Sequence, residues 1–234
     1  MSSSLGRTDV AANVARVRDR IARAAERAGR RPEEVKLVAV CKVVGAERVR
    51  EAVAAEVMDL GENYVQEAGE KREEVGEGAS WHLIGHLQRN KAARAVAIFD
   101  MIQTVDGLRI AEAIGKHAEA VRKTVRVLLQ VNTSGEESKY GVEPEQVGSL
   151  LEAVAAVSGL RVEGLMTIGR WDPDPERARP EFRQLATLAG SLQSRTGAEM
   201  KWLSMGMSHD FEVAIEEGAN LVRIGTGIFG PRPG

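Results

Sequence analysis

A lysine at the end of an apolar segment is the residue of this chain best placed to do chemistry. Lys42 closes the run Lys36–Lys42, whose sequence Lys-Leu-Val-Ala-Val-Cys-Lys is typical of a buried strand. Burial disfavours the charged form of a lysine, which leaves a neutral amine able to attack an aldehyde. The alternative is a strand-end lysine whose stem lies on apolar surface while its amine reaches water. The surroundings of Lys42 decide between the two.

A second cation interrupts the last apolar segment of the chain. In Leu221–Gly227 the side chain of Arg223 alternates with those of Val222 and Ile224, which predicts that Arg223 faces inward and its neighbours face the helices. A buried guanidinium needs partners, and a structural carboxylate is one possibility. If the first and last strands are neighbours, Arg223 lies near Lys42. Two adjacent cations favour a neutral amine on Lys42 and an anionic ligand between them.

Small and hydroxyl-bearing residues follow the last two predicted strands. Gly225 and Thr226 come directly after Arg223, and Ser204 and Ser208 lie near the end of the preceding strand. Backbone N–H groups at such glycines can approach a phosphate, and barrel proteins often bind phosphate at this position. An amine, an inward guanidinium and a phosphate site together predict an aldehyde that carries a phosphate, namely pyridoxal 5′-phosphate (PLP).

Two further polar residues are expected near the same site. Asn63 follows the second predicted strand and His82 lies in the third. Asn63 could approach the cofactor or simply cap a loop, and His82 could bond near the ring or be a satisfied core histidine. The four histidines and the single cysteine have no metal-ligand spacing, so no metal site is expected.

Eight short apolar segments alternate with amphipathic ones. The predicted strands begin near Lys36, Met58, His82, Asp100, Val125, Leu160, Lys201 and Leu221. With no break in composition, this alternation predicts an α/β fold in which residues 1–234 form a single (β/α)8 TIM barrel, with an open doubly wound sheet as the alternative. Active groups of such a barrel lie where strands meet the loops that follow them.

An extra helix is predicted before the first strand, over Thr8–Ala28. Its apolar residues recur at helical spacing, at Val10, Val14, Val17 and Ile21. Thr8 is expected to cap it and Gly29 to end it. Few residues follow the start of the last strand, so we expect this helix to cover the face that an eighth outer helix would otherwise occupy. The polar segment Trp171–Pro180 is expected to be a lid or merely a connection.

Composition narrows the class of protein. The chain has 234 residues, of which 43% are hydrophobic and 28% charged, with a net charge of −2 and a pI near 6.2. These values argue against nucleic-acid binding. One cysteine, Cys41, excludes an internal disulfide and is expected to be a small buried hydrophobe. No segment suits a membrane span or a signal peptide, so a cytoplasmic protein without membrane contact is expected.

Several ordered motifs carry a resemblance to a known family. They are Val38-Ala-Val-Cys-Lys42, Gly61-Glu-Asn-Tyr64, Trp81-His-Leu-Ile-Gly85, Leu87-Gln-Arg-Asn-Lys91, Val131–Lys139, Gly164-Leu-Met-Thr167, Leu203–Ser208 and Val222–Thr226. From about Val10 to Gly230 the chain resembles the pyridoxal phosphate homeostasis proteins, also called the YggS or PROSC family. The resemblance departs from the family pattern at His209, where an acid is frequent, and at Cys41, where serine is common.

The resemblance implies a barrel like the N-terminal domain of alanine racemase. PLP would be held as a Schiff base on Lys42, with Arg223 facing the pyridine nitrogen. Ser204, Gly225 and Thr226 would hold the phosphate. The implied partners are PLP and, as recipients, PLP-dependent enzymes in their apo form, with the chain itself a monomer or a weak homodimer.

Three functions are compatible with this site. The first is a protein without turnover that buffers and delivers PLP, because a cationic arginine at the ring nitrogen weakens the ring as an electron sink. The second is a small fold-type III PLP enzyme, an amino-acid racemase or decarboxylase. Related racemases add a tyrosine from a second domain, whereas the tyrosines here are Tyr64 and Tyr140 and the chain ends after the barrel. The third is a Schiff-base aldolase acting on a sugar phosphate.

Overall fold

Eight parallel strands form a closed barrel. The structure, a computed structural model, describes residues 9–136 and 138–231. Within those residues the strands are β1 (Lys36–Val40), β2 (Asp59–Glu62), β3 (Ser80–Leu83), β4 (Met101–Val105), β5 (Val125–Gln130), β6 (Leu160–Met166), β7 (Trp202–Met207) and β8 (Leu221–Ile224). Each strand pairs with the next, and β8 pairs with β1. The closed barrel is confirmed, and every strand begins within two residues of its predicted start.

Helices follow the strands and cover the outside of the barrel. In the described part of the chain they are α1 (Val10–Arg27), α2 (Ala46–Ala54), α3 (Val65–Val75), α4 (Ala92–Ile98), α5 (Leu108–Ala120), α6 (Val147–Ala155), α7 (Arg179–Thr196), α8 (Phe211–Glu216) and α9 (Thr226–Phe229). Short 3-10 turns lie at Pro32–Glu34, Arg89–Lys91, Pro144–Gln146 and Pro175–Ala178. None of these described helices is both long and apolar enough to cross a membrane.

The first helix packs where the sequence predicts it. Helix α1 contacts α8, α9 and α2, and so covers the face outside β8 and β1. The amide of Asn13 donates to the Ile228 carbonyl at 2.7 Å, and Arg20 forms an ion pair with Glu212 at 2.8 Å. The helix ends as predicted before Gly29, whose φ of 66° suits a residue without Cβ. The predicted cap Thr8 lies outside the described residues, and the Asp9 carboxylate caps the Ala12 amide.

Alternation along the strands separates two apolar regions. A small cluster fills the barrel interior and consists of Val38, Met101, Leu128, Met166 and Leu221. The larger core lies between strands and helices and includes Val222 and Ile224. Val38 and Arg223 are register partners of adjacent strands, so both side chains point inward while Val222 and Ile224 point outward. The predicted facing of β1 and β8 is confirmed, and it places Arg223 beneath the barrel mouth.

Candidate functional site

A cavity of about 360 Å³ opens at the carboxyl ends of the strands. Its lining residues come from the ends of six strands and the loops after them: Val40, Lys42, Asn63, Ile84, Ile168, Trp171, Met207, Ser208, His209, Arg223, Gly225 and Thr226. Five residues predicted from the sequence therefore share one cavity, namely Lys42, Asn63, Arg223, Gly225 and Thr226. Ser204 and His82 do not line it. No group of three or more potential metal ligands occurs among the described residues.

Lys42 reaches the cavity from a turn rather than from the strand itself. Strand β1 ends at Val40, whose side chain lines the cavity, and the half-buried Lys42 follows two residues later. Between them Cys41 is fully buried on the opposite face, and burial raises the pKa of its thiol well above the usual range. Cys41 is therefore a packing residue, as predicted, and the turn after β1 brings the Lys42 side chain to the cavity.

Arg223 forms the charged floor of the cavity. Its side chain is 3% exposed, and its guanidinium donates to the Ser204 hydroxyl at 2.5 Å and to the Thr167 carbonyl at 2.8 Å. Burial lowers the pKa of Arg223 to about 10, which still leaves a cation at neutral pH. Both of these hydrogen-bond acceptors are neutral, while the charge of the buried Asp210 carboxylate acts on Arg223 and opposes the effect of burial on its pKa, so a structural carboxylate does accompany this cation. This charge is available to an acceptor in the cavity.

Ser204 and His82 belong to a hydrogen-bonded chain inside the barrel, below the cavity. The Ser204 hydroxyl donates to Gln103 Oε1 at 2.6 Å, and the Gln103 amide donates to His82 Nδ1 at 2.9 Å. His82 Nε2 then donates to Asp59 Oδ1 at 2.9 Å, where Lys36 also binds. All donors point away from Arg223 and toward Asp59. The structure thus places Ser204 and His82 below the cavity, with Ser204 in contact with Arg223, and a direct contact of either residue with the cofactor stays a prediction.

The carboxylate at the end of this chain stays ionised. Burial opposes ionisation of Asp59, but the hydrogen bond from His82 and the charge of Lys36 outweigh it and lower the pKa of the carboxyl. The polar chain thus runs from a cation at the cavity floor to a carboxylate near the opposite end of the barrel. A satisfied core histidine, the second interpretation of His82, describes what the structure contains.

A second serine of this segment, Ser208, lines the cavity directly. Ser208 Oγ accepts hydrogen bonds from the amides of Gly225 and Gly227, each at 3.2 Å. Thr226 lies between these two amides and also lines the cavity. Because both amides already donate to Ser208 Oγ, the groups that can approach a phosphate here are the hydroxyls of Ser208 and Thr226, which line the cavity together.

Asn63 lies at the mouth, next to a close approach of two backbone segments. A Cβ at Gly85 would lie 2.3 Å from the Asn63 carbonyl oxygen, so glycine is required for the loop after β3 to pass here. The backbone N–H of Asn63 donates to Glu62 Oε2 at 3.1 Å, which fixes the start of the loop after β2. The side chain of Asn63 is therefore placed at the cavity by a rigid loop.

Two lining residues at the rim lie outside the predicted site. Trp171, 73% exposed, begins the polar segment after β6, and its ring centroid lies 6.5 Å from that of His209. His209 Nε2 lies 3.1 Å from the Pro173 carbonyl, which ties the loop after β7 to that segment. The apolar lining residues Ile84, Ile168 and Met207 also went unrecognised, because nothing distinguishes them in sequence from the other apolar residues of strand ends.

Comparisons with known proteins identify the family and the fold of this chain. Residues 12–233 match the family model described as alanine racemase, N-terminal domain. A pyridoxal phosphate homeostasis protein of Pseudomonas aeruginosa is 45% identical over 226 residues, covering 95% of this chain and 96% of that protein. A pyridoxal phosphate homeostasis protein of Aquifex aeolicus is 43% identical over 220 residues, covering 94% of this chain and 96% of that protein. PipY of Synechococcus elongatus, solved with PLP bound, is 33% identical with a TM-score of 0.84, covering 94% of this chain and 100% of PipY.

The fold and the family match place the chain in a defined class. The chain forms a closed eight-stranded parallel barrel and belongs to the alanine racemase N-terminal domain class. Within this class, the chain belongs to the family of the pyridoxal phosphate homeostasis proteins. The resemblance drawn from the sequence motifs is confirmed.

Proposed function

We propose that this chain binds PLP and takes part in its homeostasis by buffering the cofactor and delivering it to apo enzymes. The observation that carries the proposal is that Lys42, on the turn after β1, and Arg223, on the neighbouring strand β8, line the same cavity. In this proposal residues 1–234 act as a single PLP-binding barrel domain in the cytoplasm. PLP would be held as a Schiff base on Lys42.

The residues present fit this cofactor. The cavity volume, about 360 Å³, lies within the usual range of roughly 300–1,000 Å³ for small-molecule sites. Its polar lining combines two cationic side chains, Lys42 and the buried Arg223, with the hydroxyl-bearing residues Ser208 and Thr226 and with Gly225. Ile84, Ile168 and Met207 supply the apolar surface that an aromatic ring needs. An amine, a hydrogen-bond donor and an anion site match an aldehyde, a ring nitrogen and a phosphate.

Each residue has a distinct task in this proposal. When bound, PLP supplies an aldehyde that takes up an amine and a ring that can accept electrons. Lys42 would bind the aldehyde carbon, and Ser208, Gly225 and Thr226 would hold the phosphate. Arg223 would donate a hydrogen bond to the ring nitrogen and, as a cation, keep a proton away from that atom. An unprotonated ring is a weaker electron sink, which favours storage over turnover.

The absence of turnover is the finer part of the proposal. Among the described residues that line the cavity there is no tyrosine, aspartate or glutamate. Tyr64 and Tyr140 lie outside the cavity lining, where their side chains are 61% and 58% exposed. One observation favours the second candidate, a small racemase or decarboxylase: the His209 imidazole lines the same cavity as Lys42. His209 could serve as a second acid-base group.

A transfer assay tests the delivery function. The protein loaded with PLP is mixed with an apo PLP-dependent enzyme, and the recovered activity of that enzyme is followed with and without a protein trap for free PLP. Activity that recovers faster than the spontaneous release of PLP supports delivery, and recovery at the rate of release contradicts it. In parallel, incubation with amino acids in deuterated solvent tests the second candidate, because exchange of the α-hydrogen that is lost in His209→Ala would establish turnover.

A further inference from the structure

The turn that carries Lys42 has an unusual backbone. The Val44 amide donates to the Cys41 carbonyl at 3.0 Å, which closes a turn with Lys42 and Val43 at its two central positions. Val43 has a φ of 57°, a conformation that glycine or asparagine adopts readily and a β-branched residue avoids. Such backbone strain persists only where the surrounding structure imposes it, and it clusters at functional sites. The contacts around this turn identify what imposes it.

Both peptide groups that flank Lys42 are held by charged side chains. The Lys71 ammonium donates to the Cys41 carbonyl at 2.5 Å, and the Val43 amide donates to Glu67 Oε1 at 2.7 Å. The planes of these two peptide groups define φ and ψ of Lys42. Because φ and ψ set the direction of the Cα–Cβ bond, the two contacts fix the direction in which the Lys42 side chain leaves the backbone.

The two clamping side chains are themselves part of an ionic triad, of which Glu62 and Lys71 are buried and Glu67 is partly exposed. Lys71 lies 2.5 Å from Glu67 and 2.6 Å from Glu62, and Glu62 is fully buried. Burial raises the pKa of Glu62, whereas the hydrogen bonds that Lys71 donates to both carboxylates outweigh burial and raise the pKa of Lys71. Glu62 also accepts the Asn63 amide at 3.1 Å. A buried ion pair is poor evidence for a stabilising role, because desolvation offsets its attraction. The contacts of this triad instead hold the backbone at two cavity-lining residues, Lys42 and Asn63.

We propose that Glu67 and Lys71 are positioning residues that orient the Lys42 amine in the cavity. This inference rests on the proposed function and deepens it. In the step concerned, the Lys42 nitrogen adds to the aldehyde carbon, a carbon–nitrogen double bond forms, and the aldehyde oxygen leaves as water with no change of oxidation state. The triad does not touch the cofactor in this account. It keeps the amine at the correct place for bond formation and leaves the phosphate side unaffected.

The test compares three variants on helix α3. Glu67→Ala removes the acceptor for the Val43 amide, and Glu67→Gln retains an oxygen that can accept it. Glu70→Ala is the matched control, because Glu70 is exposed on the same helix. Two quantities are measured: amide hydrogen exchange of Val43 in the protein without ligand, and affinity for PLP beside that for 4′-deoxypyridoxine 5′-phosphate, which has no aldehyde.

In Glu67→Ala we expect Val43 to exchange at least about tenfold faster and the apparent Kd for PLP to rise about tenfold, equivalent to about 1.4 kcal/mol. The Kd for the deoxy analogue should change less than about twofold. Glu67→Gln should recover part of the loss, and Glu70→Ala should match wild type. Equal losses for both ligands, or faster exchange with unchanged PLP affinity, would overturn the positioning role. A wild-type protein that binds both ligands equally would instead refute the Schiff base, while the exchange data would still show whether the clamp exists.

Discussion

The hydrogen-bonded chain beneath Arg223 gives a quantitative prediction through Gln103. This side chain is fully buried and bridges the Ser204 hydroxyl, at 2.6 Å, to His82 Nδ1, at 2.9 Å. Gln103→Leu keeps a similar volume but removes both polar contacts. It leaves one hydroxyl and one ring nitrogen buried without these partners, and each such group costs about 1–3 kcal/mol. The expected loss in the free energy of unfolding is therefore about 2–6 kcal/mol.

Denaturant and thermal unfolding measure this loss. For a chain of this size, 1 kcal/mol corresponds to roughly 2–4 °C in Tm, so Gln103→Leu should melt roughly 4–24 °C below wild type. Gln66→Leu is the control, because Gln66 is exposed on α3 and its replacement should change stability by less than about 0.5 kcal/mol. If Gln103→Leu were no more destabilising than Gln66→Leu, the directed chain from Arg223 to Asp59 would be refuted.

Three other perturbations have defined outcomes. Deleting residues 1–30, of which the structure describes residues 9–30, should abolish the cooperative unfolding transition because α1 covers the barrel; an unchanged Tm would contradict this. Arg179 donates to Glu216 at 2.7 Å and lowers the pKa of that carboxyl in the folded protein. The stability contributed by this ion pair is therefore present above the unfolded pKa of about 4.3 and is lost as the pH falls through the lower folded pKa. Unfolding midpoints measured between about pH 6 and pH 3 should fall less steeply in Arg179→Gln than in wild type, and parallel curves would refute the linkage. Ser208→Ala should weaken PLP binding about tenfold through loss of a hydroxyl at the phosphate side, measured by titration beside the exposed control Ser191→Ala; equal affinities would exclude that role.

The sequence was sufficient to predict the barrel and its charged floor. The positions of apolar segments and the alternation of side chains along a strand depend on neighbouring residues in the sequence, so the sequence alone predicts which side chains of β1 and β8 face inward. That orientation placed Arg223 inward beside β1, and the structure confirms it. The helix before β1 was predictable for the same reason, since its apolar positions recur at helical spacing and are buried.

The burial of Ser204 below the cavity could not be predicted because β7 is irregular. Between Ser204 and Met207 the register of β7 against β8 shifts by one residue. Beyond this shift, counting alternate residues along the strand no longer predicts which side chains face the barrel interior. Gly206 lies inside this irregularity with a φ of 90°, and a Cβ there would lie 2.6 Å from Ala214. Ser204 is consequently buried below the cavity, and Ser208 is the serine at its wall.

The depth of His82 and the clamp around Lys42 depend on tertiary structure. His82 pairs in register with Met101, an interior residue, so it lies one layer below the mouth. Sequence alternation predicts which face a residue occupies and leaves its height in the barrel open. The clamp forms because α3 packs beside the turn after β1, which brings together Glu62, Glu67 and Lys71. No pattern in the sequence predicts that Glu67 accepts a hydrogen bond from the Val43 backbone N–H.

The central claim is that Lys42 binds PLP covalently, and absorbance spectroscopy tests it most directly. Wild type and Lys42→Ala are mixed with PLP and recorded before and after reduction with borohydride. The account predicts a band at roughly 410–430 nm in wild type alone, the range of a PLP imine, which reduction converts into a stable adduct on the peptide containing Lys42. A band that persists in Lys42→Ala, or no band in wild type, would contradict it.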